Sequence, residues 1–226
     1  MELTDLLYDC LSCIFDCIPD LKLLLDLSTV CKQWNILAKR RLNKIRHLHA
    51  QQDIDSNLSA SPNHLYTNDV ELMERVNVSK IFPNLKFFSK CYTLEKMCTC
   101  KMLVNVLSTS KPLIGLICEA PCLFSSPEHL GSRCHVDVDE IVKHCGSLEY
   151  LVTLYRPFLR SYFLKYKFGR NLKYFEGSIE GSEYEEDRDY NFIFKEMYLI
   201  CYYLHQMPNL EVLHMKEPPC NLQMIL

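Results

Sequence analysis

Residues 7–34 read LYDCLSCIFDCIPDLKLLLDLSTVCKQW, and their spacing decides how the rest of the chain is read. Leu7, Leu11, Ile14, Phe15 and Ile18 recur at helical intervals and make one apolar stripe. Pro19-Asp20 ends it. Proline disfavours helix in the residue before it, and an aspartate can cap the next helix by accepting a backbone N–H. Leu21, Leu24, Leu25, Ser28 and Cys31 then mark a second helical face, and Val30, Trp34, Leu37 and Arg41 a third. Three amphipathic helices in about forty residues bury too little of their own surface to stand alone. Leu23, Leu24, Leu25 and Leu27 make the second helix apolar on more than one side, so it needs a cover.

Through Ile14-Phe15, Leu24, Leu27 and Val30-Cys31-Lys32-Gln33-Trp34 the stretch resembles the F-box family. Tyr8 and Cys10 depart from it, standing where that family usually carries proline and glutamate, and both would loosen the entry of the first helix. The resemblance assigns residues 1–45 to an F-box. It implies docking on a Skp-type adaptor, and through it on a cullin scaffold and a ubiquitin ligase. The implied adaptor contacts are Leu7, Leu11, Ile14, Phe15, Leu24, Leu27, Val30, Cys31 and Trp34. The alternative is a three-helix cap that packs only on the rest of its own chain.

The 226 residues make one large domain or two small ones, and 48% hydrophobic with 11% aromatic content supports a sizeable core. A formal net charge of -3 argues against nucleic acid as the main partner, because phosphate binding needs an accumulated basic surface. Lys39, Arg40, Arg41, Lys44 and Arg46 are read as a solvated helix face. Glu2, Asp5 and Asp9 follow Met1, so no basic-then-apolar leader is read, and the longest apolar run, 197–204, is too short for a membrane span. A soluble, intracellular chain, cytoplasmic and/or nuclear, is the expectation. Thirteen cysteines then read as reduced, small apolar residues. Cys10-x-x-Cys13 lies within a helix, and Cys98-x-Cys100 with His135, His144 and Cys145 completes no four-ligand set, so neither metal nor cofactor is expected.

Beyond the first module, residues 39–50 are expected to continue the third helix, and 46–67 to be a linker, polar from Gln51 onward. A helical pattern resumes at Val70, Met73, Val76 and Ile81 and stops at Pro83. From there the chain repeats itself: Asn84-Leu85-Lys86-Phe87-Phe88, Ser147-Leu148-Glu149-Tyr150-Leu151, Asn171-Leu172-Lys173-Tyr174-Phe175 and Asn209-Leu210-Glu211-Val212-Leu213 share one form. Pro112-Leu113-Ile114-Gly115-Leu116-Ile117 is a weaker copy. Leucines 85, 113, 148, 172 and 210 stand 28, 35, 24 and 38 residues apart. Two of those intervals suit a leucine-rich repeat of about 20–29 residues, and the longer ones imply insertions. Helices are expected over 138–145, 158–168 (closed by Gly169) and 192–207. Residues 144–151, HCGSLEYL, resemble the cysteine-containing leucine-rich repeats that commonly follow an F-box.

The fold expected is α/β: a three-helix F-box followed over 68–226 by an irregular leucine-rich-repeat solenoid, with short parallel strands and helices on the convex side. No repeat can bury its own apolar side, so stacking supplies the stability. A mixed α/β domain in which the Asn-Leu turns coincide by chance is the alternative. Residues 221–226, NLQMIL, read as the opening of a further element, which leaves open an array incomplete at its C-terminus. In the repeat register Phe87, Tyr150, Tyr174, Glu176 and His214 face outward as candidate substrate contacts, although a one-residue shift would turn them inward. The acidic stretch 176–189 could steer a basic substrate.

No phosphate-cradling glycine loop, HExxH or G-x-S-x-G occurs, and six glycines leave little room for one, so no catalytic residue is assigned. The resemblance implies a non-catalytic substrate-recognition subunit of an SCF-type (Skp–cullin–F-box) ubiquitin ligase, holding an unknown protein substrate on its repeats. The rivals are a repeat scaffold with no part in ubiquitin transfer, and a thiol enzyme or zinc protein built on the cysteines.

Overall fold

The structure, a computed structural model, describes residues 3–51, 61–90, 100–118, 138–153, 168–178, 204–216 and 221–225. The chain divides into two compact units, Met1–Leu113 and Ile114–Leu226. Each is α/β, built from short strands with helices between them.

The first unit begins with α1 (Leu3–Asp16), α2 (Leu21–Ser28) and α3 (Lys32–Lys44). Asp20 caps α2 as its position suggests, its carboxylate accepting from the Leu23 N–H at 2.6 Å. Asn35 closes the α2–α3 corner, its amide donating to the Ser28 carbonyl at 3.2 Å. Both α1 and α2 pack on α3, closing Phe15, Ile18, Leu21, Leu24, Leu37, Ala38 and Leu42 away from solvent.

At Lys44 the helix stops, six residues short of the expectation, because Ile45 turns into extended backbone. The segment expected as a linker holds two strands, β1 (His47–Ala50) and β2 (His64–Thr67). The pattern continues in two helices rather than one, α4 (Val70–Arg75) and α5 (Val78–Ile81), because Asn77 starts a new cap by accepting from the Lys80 N–H. β3 (Phe87–Lys90) and α6 (Cys100–Thr109) complete the unit. The Asn105 amide ties α6 to the end of α4 by donating to the Met73 and Val76 carbonyls at 2.7 and 2.8 Å.

The three strands are parallel and lie in the order β2-β1-β3. A simple stack of repeats would advance β1, β2, β3. Here β2 instead turns back to the helical side of β1, where the Tyr66 N–H donates to the Pro19 carbonyl at 2.7 Å. The α1–α2 corner thus covers the strand edge, whose unpaired N–H and C=O groups would otherwise invite another chain.

In the second unit, β4 (Gly115–Cys118), β5 (Tyr150–Thr153), β6 (Tyr174–Ser178) and β7 (Val212–Lys216) follow one another in spatial order, all parallel. β8 (Asn221–Ile225) is antiparallel to β7, a departure from the all-parallel expectation. The helix expected over 138–145 is α7 (Val138–Val142) followed by a 3-10 turn at Cys145–Ser147. Gly169 lies within a 3-10 turn, Phe168–Asn171. Residues 158–167, most of 192–207, and 179–189 of the acidic stretch lie outside the described residues.

The repeated sequence form corresponds to a repeated geometry. Leu85 with Phe88, Leu113 with Leu116, Leu148 with Leu151, Leu172 with Phe175, and Leu210 with Leu213 are all buried. Each first leucine donates its N–H to the carbonyl three residues earlier. Two successive N–H groups then share one carbonyl of the preceding strand's entry: those of Lys86 and Phe87 on Arg46, Glu149 and Tyr150 on Ile114, Lys173 and Tyr174 on Glu149, and Glu211 and Val212 on Lys173. The motif asparagine adds a side-chain bond, Asn84 to the Asn43 carbonyl, Asn171 to Gly146 and Asn209 to Arg170, at 2.6 to 2.8 Å. Ile45 and Leu48 are a further copy, missed in the sequence, with the Arg46 and His47 N–H groups sharing the Asn63 carbonyl.

Helices and strand edge are joined by Arg41, which is buried on α3. Its guanidinium donates to the carbonyls of Pro62, of His64 at 2.8 Å and of Ile18 at 3.3 Å. Burial lowers its pKa and the charge of Asp16 opposes that shift. Replacing Arg41 by Met leaves those carbonyls unsatisfied, and hydrogen bonds to charged groups contribute about 1.5–3 kcal/mol each. Arg41→Met should cost the first unit about 3 kcal/mol or more. The readout is the urea midpoint followed through Trp34, the only tryptophan; an unmoved midpoint would show that the clamp adds nothing.

Candidate functional site

The nine side chains expected to meet an adaptor divide between inside and outside. Leu7, Ile14 and Val30 are 61%, 58% and 62% exposed, and Cys31 is exposed as well. Leu11, Leu27 and Trp34 are half-buried. Phe15 and Leu24 are 2% and 0% exposed and lie in the closed core of the helices rather than on their surface. The reason is neighbouring geometry, since Phe15 meets Trp34 edge-on at 5.7 Å and 80°. Leu23, one of the leucines that make the second helix apolar on more than one side, is 47% exposed, and Ile36, which the sequence did not single out, is 58% exposed. Large apolar side chains thus face solvent on all three helices and between α2 and α3, over a closed core.

A second surface lies on the strands. In the second unit the register sets Tyr150 beside Tyr174, and Glu176 beside His214. The tyrosine rings stack at 6.3 Å, and Tyr150 is 37% exposed. The Tyr174 hydroxyl donates to Glu176 Oε2 at 2.5 Å, which pushes the phenol up to about 12, and His214 Nδ1 lies 3.5 Å from the same oxygen. Four of the five expected substrate contacts therefore come together on one strand face, while the backs of the strands are filled by Leu151, Phe175 and Leu213. Gly177 has no side chain for a packing reason: a Cβ there would meet the Phe175 ring at 2.8 Å.

Phe87, the fifth, belongs to the first unit, in a cluster the sequence reading missed. Phe87, His47 and His64 stack at 4.7 and 4.3 Å with planes within 8°. His49 stacks on Tyr66 at 4.8 Å. Its Nδ1 shares a hydrogen bond with Ser89 Oγ at 2.5 Å and its Nε2 another with His64 Nδ1 at 2.9 Å. The signal was the alternation His47-Leu48-His49 and His64-Leu65-Tyr66, a period of two with leucine inward. Among the described residues no group of three or more His, Cys, Asp or Glu could hold a metal.

Cys118 and Cys145 are buried, and burial pushes the Cys145 thiol up to about 12, which makes it a poor nucleophile. Among the described residues no helix is long and apolar enough to cross a membrane. No protein-family model, curated protein or solved structure matches the chain.

The histidine cluster carries a pH dependence. Burial first, then the neighbouring charges, lowers His47, His49 and His64, with His49 brought from 6.5 to about 4. The charge of Arg46 bears on His47 and that of Arg41 on His64, and both disfavour the protonated ring. A folded-state pKa below the unfolded value means that folding favours the neutral ring. Stability is complete above about 6.5 and is lost as pH falls from there toward about 4. Melting followed by Trp34 fluorescence should drop between pH 7.5 and 5, and His49→Gln should flatten that dependence. Equal pH slopes in the two proteins would refute the assignment.

Proposed function

We propose that residues 1–45 are an F-box, that the strand-bearing remainder is a leucine-rich-repeat array, and that the chain is the substrate-recognition subunit of an SCF-type ubiquitin ligase. One observation carries the reading: the helices keep Leu7, Ile14, Leu23, Val30 and Ile36 exposed while their inner side is already filled. An adaptor that covers this surface removes apolar area from water, at roughly 25 cal/mol per Å². The buried leucine pairs and shared-carbonyl turns support the repeat reading, since each copy buries its apolar side only against the next. The face bearing Tyr150, Tyr174, Glu176 and His214 is where a protein substrate would sit, as tyrosine offers large contact area at low entropy cost.

The mechanism is proximity. The chain performs no bond-breaking step. Tethering a substrate on the same assembly as the charged conjugating enzyme raises the effective concentration of its lysines.

A second reading, a repeat scaffold in which the helices serve as a cap, is favoured by the bond from Tyr66 to Pro19 and by the Arg41 clamp. A pull-down with purified Skp adaptor separates the two. Complex formation supports the ligase, and its absence leaves the scaffold. Ile14→Glu with Val30→Glu should weaken the complex at least about thirtyfold, as loss of a central apolar contact of about 2 kcal/mol would, without moving the melting temperature. Trp34→Ala should instead lower the melting temperature, because Trp34 packs on Phe15. If the double variant binds normally, the outer face is not the docking surface.

A further inference from the structure

The six cysteines whose side chains the structure describes fall into two groups. Cys118 and Cys145 are buried, whereas Cys10, Cys13, Cys17 and Cys31 are all exposed and all lie in the helical module. Two of the exposed thiols lie on α1, and Cys17 directly follows its last residue, with its N–H still bonded to the Cys13 carbonyl at 3.2 Å. At 3.6 residues per turn, Leu7, Cys10, Cys13 and Ile14 occupy a single arc of α1 about 120° wide, and Cys17 continues it past the helix end. The arc's two apolar side chains are the exposed Leu7 and Ile14, and Cys10 stands about one turn from each of them. Next to the Leu7 edge of the arc the helix turns inward, through the half-buried Leu11 to the buried Phe15. On α1, then, the outer apolar face and the outer thiol face are one surface.

We propose that this face is a thiol-modification site for small disulfides of the glutathione class, and that modification closes it to a docking partner. The step is a thiol–disulfide exchange. A cysteine Sγ attacks one sulfur of glutathione disulfide, the disulfide's S–S bond breaks, and a new S–S bond forms to the protein. The departing half takes up the proton that the cysteine gave up and leaves as glutathione. The cysteine sulfur is oxidised and the departing sulfur reduced, so no further oxidant enters. The adduct sets a charged, hydrated tripeptide between Leu7 and Ile14. A partner cannot cover those side chains without desolvating or displacing it, and burying an unpaired charge is costly. A thiol reductant reverses the change. Free α1 is the substrate, since a docked adaptor would shield the same thiols.

The inference rests on the proposed docking face, and the experiment keeps the two apart. The reduced full-length chain is incubated with glutathione disulfide, its adducts are mapped by peptide mass, and binding to purified Skp adaptor is measured before and after, and again after dithiothreitol. Adducts should appear on Cys10, Cys13 and Cys17 ahead of Cys118 and Cys145. Affinity should fall at least about tenfold and return on reduction, with the melting temperature unchanged. The triple substitution Cys10→Ser, Cys13→Ser, Cys17→Ser should bind like the reduced chain and lose most of its response to the disulfide, what remains being due to the exposed Cys31. Normal binding by the modified chain overturns the inference and leaves the ligase reading standing, as does loss of binding accompanied by a fall in melting temperature. A reduced chain that does not bind the adaptor overturns both.

Discussion

A single buried guanidinium is where the two kinds of structure in the first unit are joined. Arg41 leaves α3 and meets carbonyls from the α1–α2 corner and from the entry of β2. A buried arginine is costly unless its donors are satisfied, and backbone carbonyls at a chain reversal and a strand entry have lone pairs left over. The two terminal nitrogens of the guanidinium and those carbonyls answer one another, while the buried Nε has no hydrogen-bond partner. Because of that exchange the helices and the strand edge form one packed body, and the orientation of the helices fixes which apolar side chains remain outside.

Beyond that joint the structure is built by repetition. Each turn places one leucine in the core and returns a second apolar residue three positions later. Two N–H groups then rest on one carbonyl of the strand beside it. The same arithmetic decides the outer face. Strand side chains alternate, so a buried leucine or phenylalanine at the second position of each parallel strand commits the first and third positions to the other side. That is why Tyr150, Tyr174, Glu176 and His214 gather in the second unit, and why three histidines gather with Phe87 and Tyr66 in the first. Neither cluster was assembled residue by residue; both result from where the leucines must go.

The sequence showed the three helices through an unbroken 3.6-residue stripe and the Pro19-Asp20 stop, and it showed the repeats through their leucine pairs. Those signals are local, and local chemistry is enough to read them. The register of Tyr150, Tyr174, Glu176 and His214 was legible for the same reason. Strands β1 and β2 were not, because four residues carry too short an alternation to outweigh a polar surrounding segment.

Tertiary structure alone decided the rest. A stripe on a helix names a side but does not say which of its members reach the core. Ile14 and Phe15 are adjacent in the chain, yet one is open to water and the other closed by Trp34, because only packing against α3 sets the boundary between them. The return of β2 to the helical side of β1 likewise depends on carbonyls and a guanidinium more than twenty residues apart in sequence. Helical period and leucine spacing are written within a turn or two of chain, whereas burial and strand order are properties of what lies across the gap.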